Sequence, residues 1–236
     1  MVMNTFKIAL TAGHYKHTAG KRCLKSLDAN ETREWELNRR VAEKVEALLR
    51  ERYTGYALLR TDDPAGEKCI SLNARTTAAN NWGADFYLSI HHNAGVNGGK
   101  GGGITAHVHT KPSPESLAWQ KALYQALIRE TGLKGNRAAP LVRQNLHECR
   151  ETEMPAVLLE LGFMDSQTDV PVILTEEYAD QCARAIVQVL AERGKLEPAA
   201  GRVYRVQVFA GSKAGAEAAL KKAKAAGFGD AFIKEG

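Results

Sequence analysis

The sequence predicts an α/β fold: a mostly parallel twisted sheet covered by helices, followed by a small β-α-β unit at the C-terminus. Three observations predict it. Short apolar runs of strand length alternate with segments whose apolar residues recur at helical spacing, the pattern of a helix-covered parallel sheet. The 236 residues suffice for one well-buried domain, alone or with a small appendage, but not for two full-sized domains. Finally, composition changes at Gly194–Gly201, where Pro, Gly and Ala make a linker-like stretch. The chain therefore divides into a main domain at 1–195, a linker at 196–202 and a C-terminal unit at 203–236.

Taken in order, Phe6–Thr11 reads as a buried strand, and Gly13 just after it supplies a turn that presents His14 at the strand's exit. Tyr15–Asn30 is a polar, Lys-rich loop. From Glu34 to Arg50, Leu37, Val41, Val45, Leu48 and Leu49 recur at helical spacing, with Glu34 in the first turn. Tyr56–Leu59 is a second strand, ended by the loop signal Arg60-Thr61-Asp62-Asp63-Pro64. Ser71–Trp82 follows as a helix with Leu72, Thr76 and Ala79 inward. Phe86–Ile90 is a buried strand ending at His91. Gly98–Gly103 is a flexible connector into a strand at Ile104–His109. Helical spacing returns at Ser116–Thr131 and Tyr178–Arg193, and Ala156–Leu159 makes a core strand ending at Glu160. In the C-terminal unit, Tyr204–Val208 alternates like a strand, Ala216, Ala219, Leu220 and Ala223 form a helix face, and Ala231–Ile233 is a second strand. Such a unit of about 33 residues is too small to bury a stable core alone.

Composition is ordinary for a globular chain, 44% apolar and 25% charged, which argues against a disordered or fibrous protein. The apolar segment after the first residues is too brief for a signal-peptide core or a membrane span, so synthesis in the cytoplasm without a signal peptide is expected. Cys23, Cys69, Cys149 and Cys182 are scattered without a CxxC pair, which suggests free thiols and no thiolate metal site. Net charge is +5, of which residues 202–236 carry +4. A basic tail of this kind can hold an anionic polymer, although a solvated helix face would look the same. Nucleic acid is disfavoured, because no aromatic residues interleave with a basic patch.

The residues with chemical potential gather at one edge of the expected sheet. His14 and His91 follow strand ends and Glu34 opens the helix after the first strand, and in open α/β sheets that edge is where sites assemble. Two neutral imidazoles and a carboxylate suit a zinc ion while leaving a fourth position for water. Taken singly, each histidine reads equally well as a solvated or core-satisfied side chain. Glu160 closes the apolar run Val157-Leu158-Leu159. A carboxylate there is costly unless paired, coordinated or shuttling a proton; a salt bridge at the sheet edge is the plainer reading.

Four ordered stretches carry a family resemblance: Thr11-Ala12-Gly13-His14; Glu34-Trp35-Glu36-Leu37-Asn38; Ser89-Ile90-His91-His92-Asn93-Ala94; and Pro155 through Glu160-Leu161-Gly162-Phe163. Leu59–Asp62, Leu72–Arg75 and Ala79-Asn80 add to them. In order and spacing, about residues 5–193 resemble the zinc-dependent N-acetylmuramoyl-L-alanine amidases of the Amidase_3 family. The resemblance implies zinc ligands at His14, Glu34 and His91 and a catalytic glutamate at Glu160. Glu34 is preferred to Glu31 and Glu36 because the family's ligand lies about four residues before an asparagine, here Asn38. It also implies hydrolysis of the amide between N-acetylmuramic acid and L-alanine in bacterial peptidoglycan, by a phage endolysin or an autolysin acting on the wall after release. Thr11-Ala12 stands where Asp-Pro is usual, and His92 where a small residue is usual, which adds a competitor for the metal. The tail, Tyr204–Ser212 through Gly227-Phe228, resembles half of a SPOR-type repeat, implying a wall-binding or dimerisation unit. Peptidoglycan, anionic wall polymers and a second copy of the chain are the partners to expect. Alternatives are a zinc peptidase cutting within the stem peptide and a non-catalytic wall-binding protein.

Overall fold

A computed structural model describes residues 5–199 and 212–225. The chain separates into two compact units, Met1–Ala199 and Ala200–Gly236. In order, the first contains β1 (Phe6–Ala12), α1 (Glu34–Arg52), β2 (Tyr53–Thr54), β3 (Tyr56–Arg60), α2 (Leu72–Trp82), β4 (Phe86–Asn93), β5 (Ile104–Val108), α3 (Pro114–Thr131), β6 (Leu141–Arg143), α4 (His147–Arg150), β7 (Ala156–Phe163), α5 (Val170–Ile173), α6 (Glu176–Gly194) and β8 (Glu197–Pro198). The second contributes α7 (Lys213–Ala225).

Six strands form one sheet in the order β3-β1-β4-β7-β5-β6. The pairs β1–β3, β1–β4 and β4–β7 are parallel, β5 runs antiparallel to β7, and β6 is parallel to β5. The expected mostly parallel, helix-covered sheet is thus present. Its central strands are apolar almost throughout because both faces are covered.

The two faces are covered unequally. Ile8, Leu10, Phe86, Leu88, Ile90, Val157 and Leu159 join α1, α3 and α6 in the main core. Alternate residues Ala9, Tyr87 and Ala156 meet Ala79 and Trp82 of α2 in a smaller cluster, as the two-residue period of a strand requires. On the thick side Trp119 of α3 stacks on Phe86 with ring centroids 3.9 Å apart. The thin side also carries α4 and, as described below, the site.

Helix ends follow their sequence signals. The Ser71, Ser113 and Thr175 hydroxyls accept from Ala74, Ser116 and Tyr178 N–H groups at the starts of α2, α3 and α6. At α1 the Glu36 carboxylate reaches back to the Arg33 N–H at 2.8 Å, one half of a capping box. Ser71 as cap turns Leu72 outward, where it is 47% exposed, and Arg75, Thr76 and Ala79 take the inward positions. The expectation of an inward Leu72 is corrected accordingly.

Gly98–Gly103, expected as a flexible connector, is pinned. The Gly98 N–H donates to the Asp165 carbonyl at 2.7 Å, and just upstream one Asp165 carboxylate oxygen accepts the N–H groups of Gly95, Val96 and Asn97 at 2.7–2.9 Å. Asp169 accepts those of Gly103 and Phe163, and the Ser166 hydroxyl donates to the Gly101 carbonyl. Gly103, at φ +88, passes so close to Gly135 that a Cβ would lie 2.5 Å from its Cα, so the glycines serve close backbone approach.

At the far end of the first unit, Leu196 is buried and β8 pairs antiparallel with β2. The Ala199 N–H donates to the Arg52 carbonyl at 2.9 Å, so the chain is tied down through Ala199. All four cysteines are free. Among the described residues no helix is long and apolar enough to cross a membrane. In α7, Ala216, Ala219, Leu220 and Ala223 lie on the partly covered side while Lys213, Glu217, Lys221 and Lys222 are exposed, the face its spacing predicts. The strands expected at Tyr204–Val208 and Ala231–Ile233 lie outside the described residues.

Candidate metal centre

His14 follows β1 directly, and its backbone stands at φ +67, a left-handed conformation that costs a non-glycine residue of the order of 1 kcal/mol. Arg75 of α2, itself buried, holds it there. Its guanidinium donates to the His14 carbonyl at 2.8 Å, the Ala12 carbonyl at 2.9 Å and the Thr11 hydroxyl at 2.7 Å. A strained turn gripped by a planar five-donor group is a fixed platform for an imidazole.

Glu34 sits in the first turn of α1 with 1% of its surface exposed. One carboxylate oxygen lies 3.1 Å from His14 Nε2 and the other 3.0 Å from His91 Nδ1. The two rings meet edge to face, 5.1 Å between centroids. One ligand atom from each of His14, Glu34 and His91 falls within 4.8 Å of the others, and among the described residues this is the one such His/Cys/Asp/Glu group. Glycine is required at position 13, because a Cβ there would lie 2.1 Å from His91 Cε1.

His91 does not lie past its strand as expected. β4 continues through Asn93, and β7 likewise runs on to Phe163, so Glu160 stands inside its strand, directly across from His91 in the ladder. A register pair brings both side chains to the same face of the sheet. Glu160 Oε2 is buried without a hydrogen-bond partner. Burial pushes its carboxyl up to about 7; His91 opposes this, Glu34 adds to it and Lys21 opposes it.

Electrostatically the site asks for positive charge. Burial works against the Glu34 charge, but the His14 and His91 imidazoles close against it hold its carboxyl well below the usual range. Burial likewise works against a charged His91, yet Glu148 and Glu34 raise its imidazole to about 10. Glu34 Oε2 is buried and lacks a hydrogen-bond partner, and the Lys21 ammonium leans in to 3.7 Å from it. Two imidazoles and a buried carboxylate with an unpartnered oxygen around one point fit a divalent cation that accepts mixed nitrogen and oxygen ligands.

The neighbours of these residues are occupied elsewhere. Glu36 serves the α1 cap, and Glu31 pairs with Arg22 at 3.4 Å. His92, expected as a competitor for the metal, points to the opposite face and is buried. Its Nδ1 is 2.8 Å from Asn38 Oδ1, and Asn38 Nδ2 donates to the Gly13 carbonyl at 3.1 Å. Burial drives the His92 imidazole down to about 3, Glu34 opposing and His91 and Arg40 assisting, so it is neutral and braces the β1 turn from behind.

Glu148 was not among the site residues expected from the sequence. The structure buries it on α4, 3.7 Å from His91 Nε2. Burial again opposes its charge, but His91 and Tyr87 hold its carboxyl down at about 2.

Comparison with known proteins bears on family and fold. The family described as N-acetylmuramoyl-L-alanine amidase matches residues 8–192. A sporulation-specific N-acetylmuramoyl-L-alanine amidase of Bacillus subtilis is 33% identical over 205 residues, 84% of this chain and 75% of that protein. The N-acetylmuramoyl-L-alanine amidase CwlM of Bacillus licheniformis is 31% identical over 232 residues, covering 96% and 84%. Among solved structures, an N-acetylmuramoyl-L-alanine amidase from Clostridium difficile 630 superposes with a TM-score of 0.71 at 27% identity, over 80% of this chain and 96% of that one.

Proposed function

Because this chain belongs to the N-acetylmuramoyl-L-alanine amidase family, and so cleaves the amide between N-acetylmuramic acid and L-alanine in peptidoglycan, we propose that it does so with a zinc ion held by His14, Glu34 and His91 and with Glu160 as the acid–base group. The observation that carries this reading is the convergence of three ligand atoms within 4.8 Å beside the Glu160 carboxyl, whose Oε2 is buried and unpartnered. The donor set favours zinc over calcium or magnesium, which prefer oxygen ligands throughout.

A zinc ion there would supply Lewis acidity, polarising the scissile carbonyl and lowering the pKa of bound water. The remaining work falls to side chains. Glu34 and the two imidazoles fix the reacting centre on rigid elements, a helix start, the braced turn after β1 and strand β4. Glu160 takes the proton of the attacking water and returns it to the leaving amine of L-alanine. Burial sets its proton affinity at about 7, and a group poised near the working pH can both accept and give up a proton. No nucleophilic Ser or Cys is needed.

Digestion of purified walls followed by mass spectrometry tests the reaction. New N-terminal L-alanine is expected. New termini within the stem peptide would mean a zinc peptidase, and no new termini a wall-binding protein. Chelation should abolish turnover and added zinc restore it. His14→Ala and His91→Ala proteins should lose the ion by metal analysis, and full retention would overturn the ligand assignment.

A further inference from the structure

Tyr87, Ser89 and His91 occupy alternate positions of β4 and so share one face of the sheet. Glu148 touches all three. The Tyr87 hydroxyl donates to its Oε1 at 2.6 Å, the Ser89 hydroxyl to its Oε2 at 3.2 Å, and His91 Nε2 stands 3.7 Å from Oε2. The carboxylate is 4% exposed and outside the three-residue cluster of potential ligands. Glu34 and Glu148 address opposite edges of the His91 ring, Glu34 at Nδ1 and Glu148 at Nε2.

From this juxtaposition we propose that Glu148 is a positioning residue for the metal centre. Its Oε2, 3.7 Å from His91 Nε2, is placed to take the Nε2–H once the ring ligates the ion, fixing the tautomer whose bare Nδ1 faces Glu34 and His14. The inference rests on the zinc reading above. A metal-ligating imidazole needs one nitrogen free and the other protonated, and a carboxylate behind it sets both the tautomer and the ring orientation while raising ligand basicity. An unanchored glutamate could swing towards the metal and become a ligand. Here the Tyr87 and Ser89 hydroxyls occupy one site on each carboxylate oxygen and hold the group in place. With a hydroxyl donor on each oxygen, the buried carboxylate is anchored, and the His91 Nε2–H is the further donor within its reach. Tyr87 and Ser89 thus act one step further back, through Glu148.

The experiment combines zinc affinity with a direct reading of the tautomer on the full-length protein. In zinc-loaded protein, nitrogen-15 spectra of the histidine side chains should show His91 metal-bound through Nδ1 with a proton on Nε2. Metal bound through Nε2 would overturn the proposal without any substitution. Glu148→Gln, nearly isosteric, should weaken zinc binding about 10- to 100-fold in chelator competition, with Glu148→Ala at least as weak. Tyr87→Phe should fall between Glu148→Gln and the unsubstituted protein. The thermal midpoint of the metal-free form serves as control: a lowered midpoint with unchanged zinc affinity would mean that Glu148 only supports packing, and would overturn the proposal. His91→Ala separates the two readings. Loss of zinc in that variant with full affinity in Glu148→Gln would overturn the positioning role alone, whereas retained zinc in His91→Ala would overturn both.

Discussion

At the scale of single residues, the site's four proposed members were singled out because each reads in sequence as a local landmark, a strand exit, a helix start or the end of an apolar run, although the structure sets His91 and Glu160 inside their strands. Selecting Glu34 from three nearby glutamates rested on resemblance, and the structure adds the physical reason, since Glu36 is spent on a cap and Glu31 on Arg22. Glu148 was not legible as a neighbour of His91. It rides on a four-residue helix, too short for any periodicity, and its partner Tyr87 is 61 positions away in sequence. Two predictions belong here. Glu160→Gln should retain its zinc while turnover falls by roughly 10²- to 10⁴-fold, the usual worth of a positioned acid–base group; near-normal turnover would send the search for the base elsewhere. Gly13→Ala should loosen the metal, because its Cβ would meet three atoms of the His91 ring at 2.1–2.4 Å and the ring must give way. Chelator competition on that variant should show weaker zinc with the circular dichroism of the native fold, and unchanged affinity would mean that the turn itself adjusts.

At the scale of elements, the strands β1, β3, β4 and β7 and the helices α1, α2, α3 and α6 announced themselves through apolar runs and helical spacing. What escaped is instructive. β6 is three residues long with exposed ends, and nothing in an apolar run states whether β5 lies parallel or antiparallel to β7. The glycine-rich run before β5 reads as slack in sequence, yet two carboxylates that follow β7 fix its ends, Asp165 at residues 95–97 just ahead of it and Asp169 at Gly103. Asp165 is the clearer case, a buried side chain with three backbone donors on one oxygen. Its removal would leave those N–H groups to partial solvation, at a cost of roughly 1–3 kcal/mol. Asp165→Ala should therefore lower the urea midpoint by an equivalent amount without touching the ligands. A midpoint within error of the unsubstituted protein would show that water replaces the carboxylate there without penalty.

At the scale of the whole molecule, every proposed catalytic and ligand residue lies in the unit ending at Ala199, while residues 202–236 hold +4 of the +5 net charge. Deleting residues 202–236 should accordingly leave a folded, active enzyme that binds walls less well. The lost binding should be the salt-sensitive part, because exposed charges are screened within about 8–10 Å at moderate ionic strength. Equal pull-down on walls at low salt would count against the tail as a binder. The same tail raises the question of assembly. α7 presents Ala216, Ala219, Leu220 and Ala223 on one side and lysines on the other, and the strands expected around it, at 204–208 and 231–233, would give a strand-helix-strand unit too small to bury its own apolar face. Two such units from two chains could complete one four-stranded sheet about a two-fold axis, the commonest symmetry of soluble oligomers. Full-length protein is therefore expected to be a homodimer. Light scattering at micromolar concentration on the full chain and on a chain ending at Ala200 decides it: dimer for the first and monomer for the second is the expected pair, a full-length monomer would refute the dimer, and a dimer surviving truncation would move the interface to the first unit.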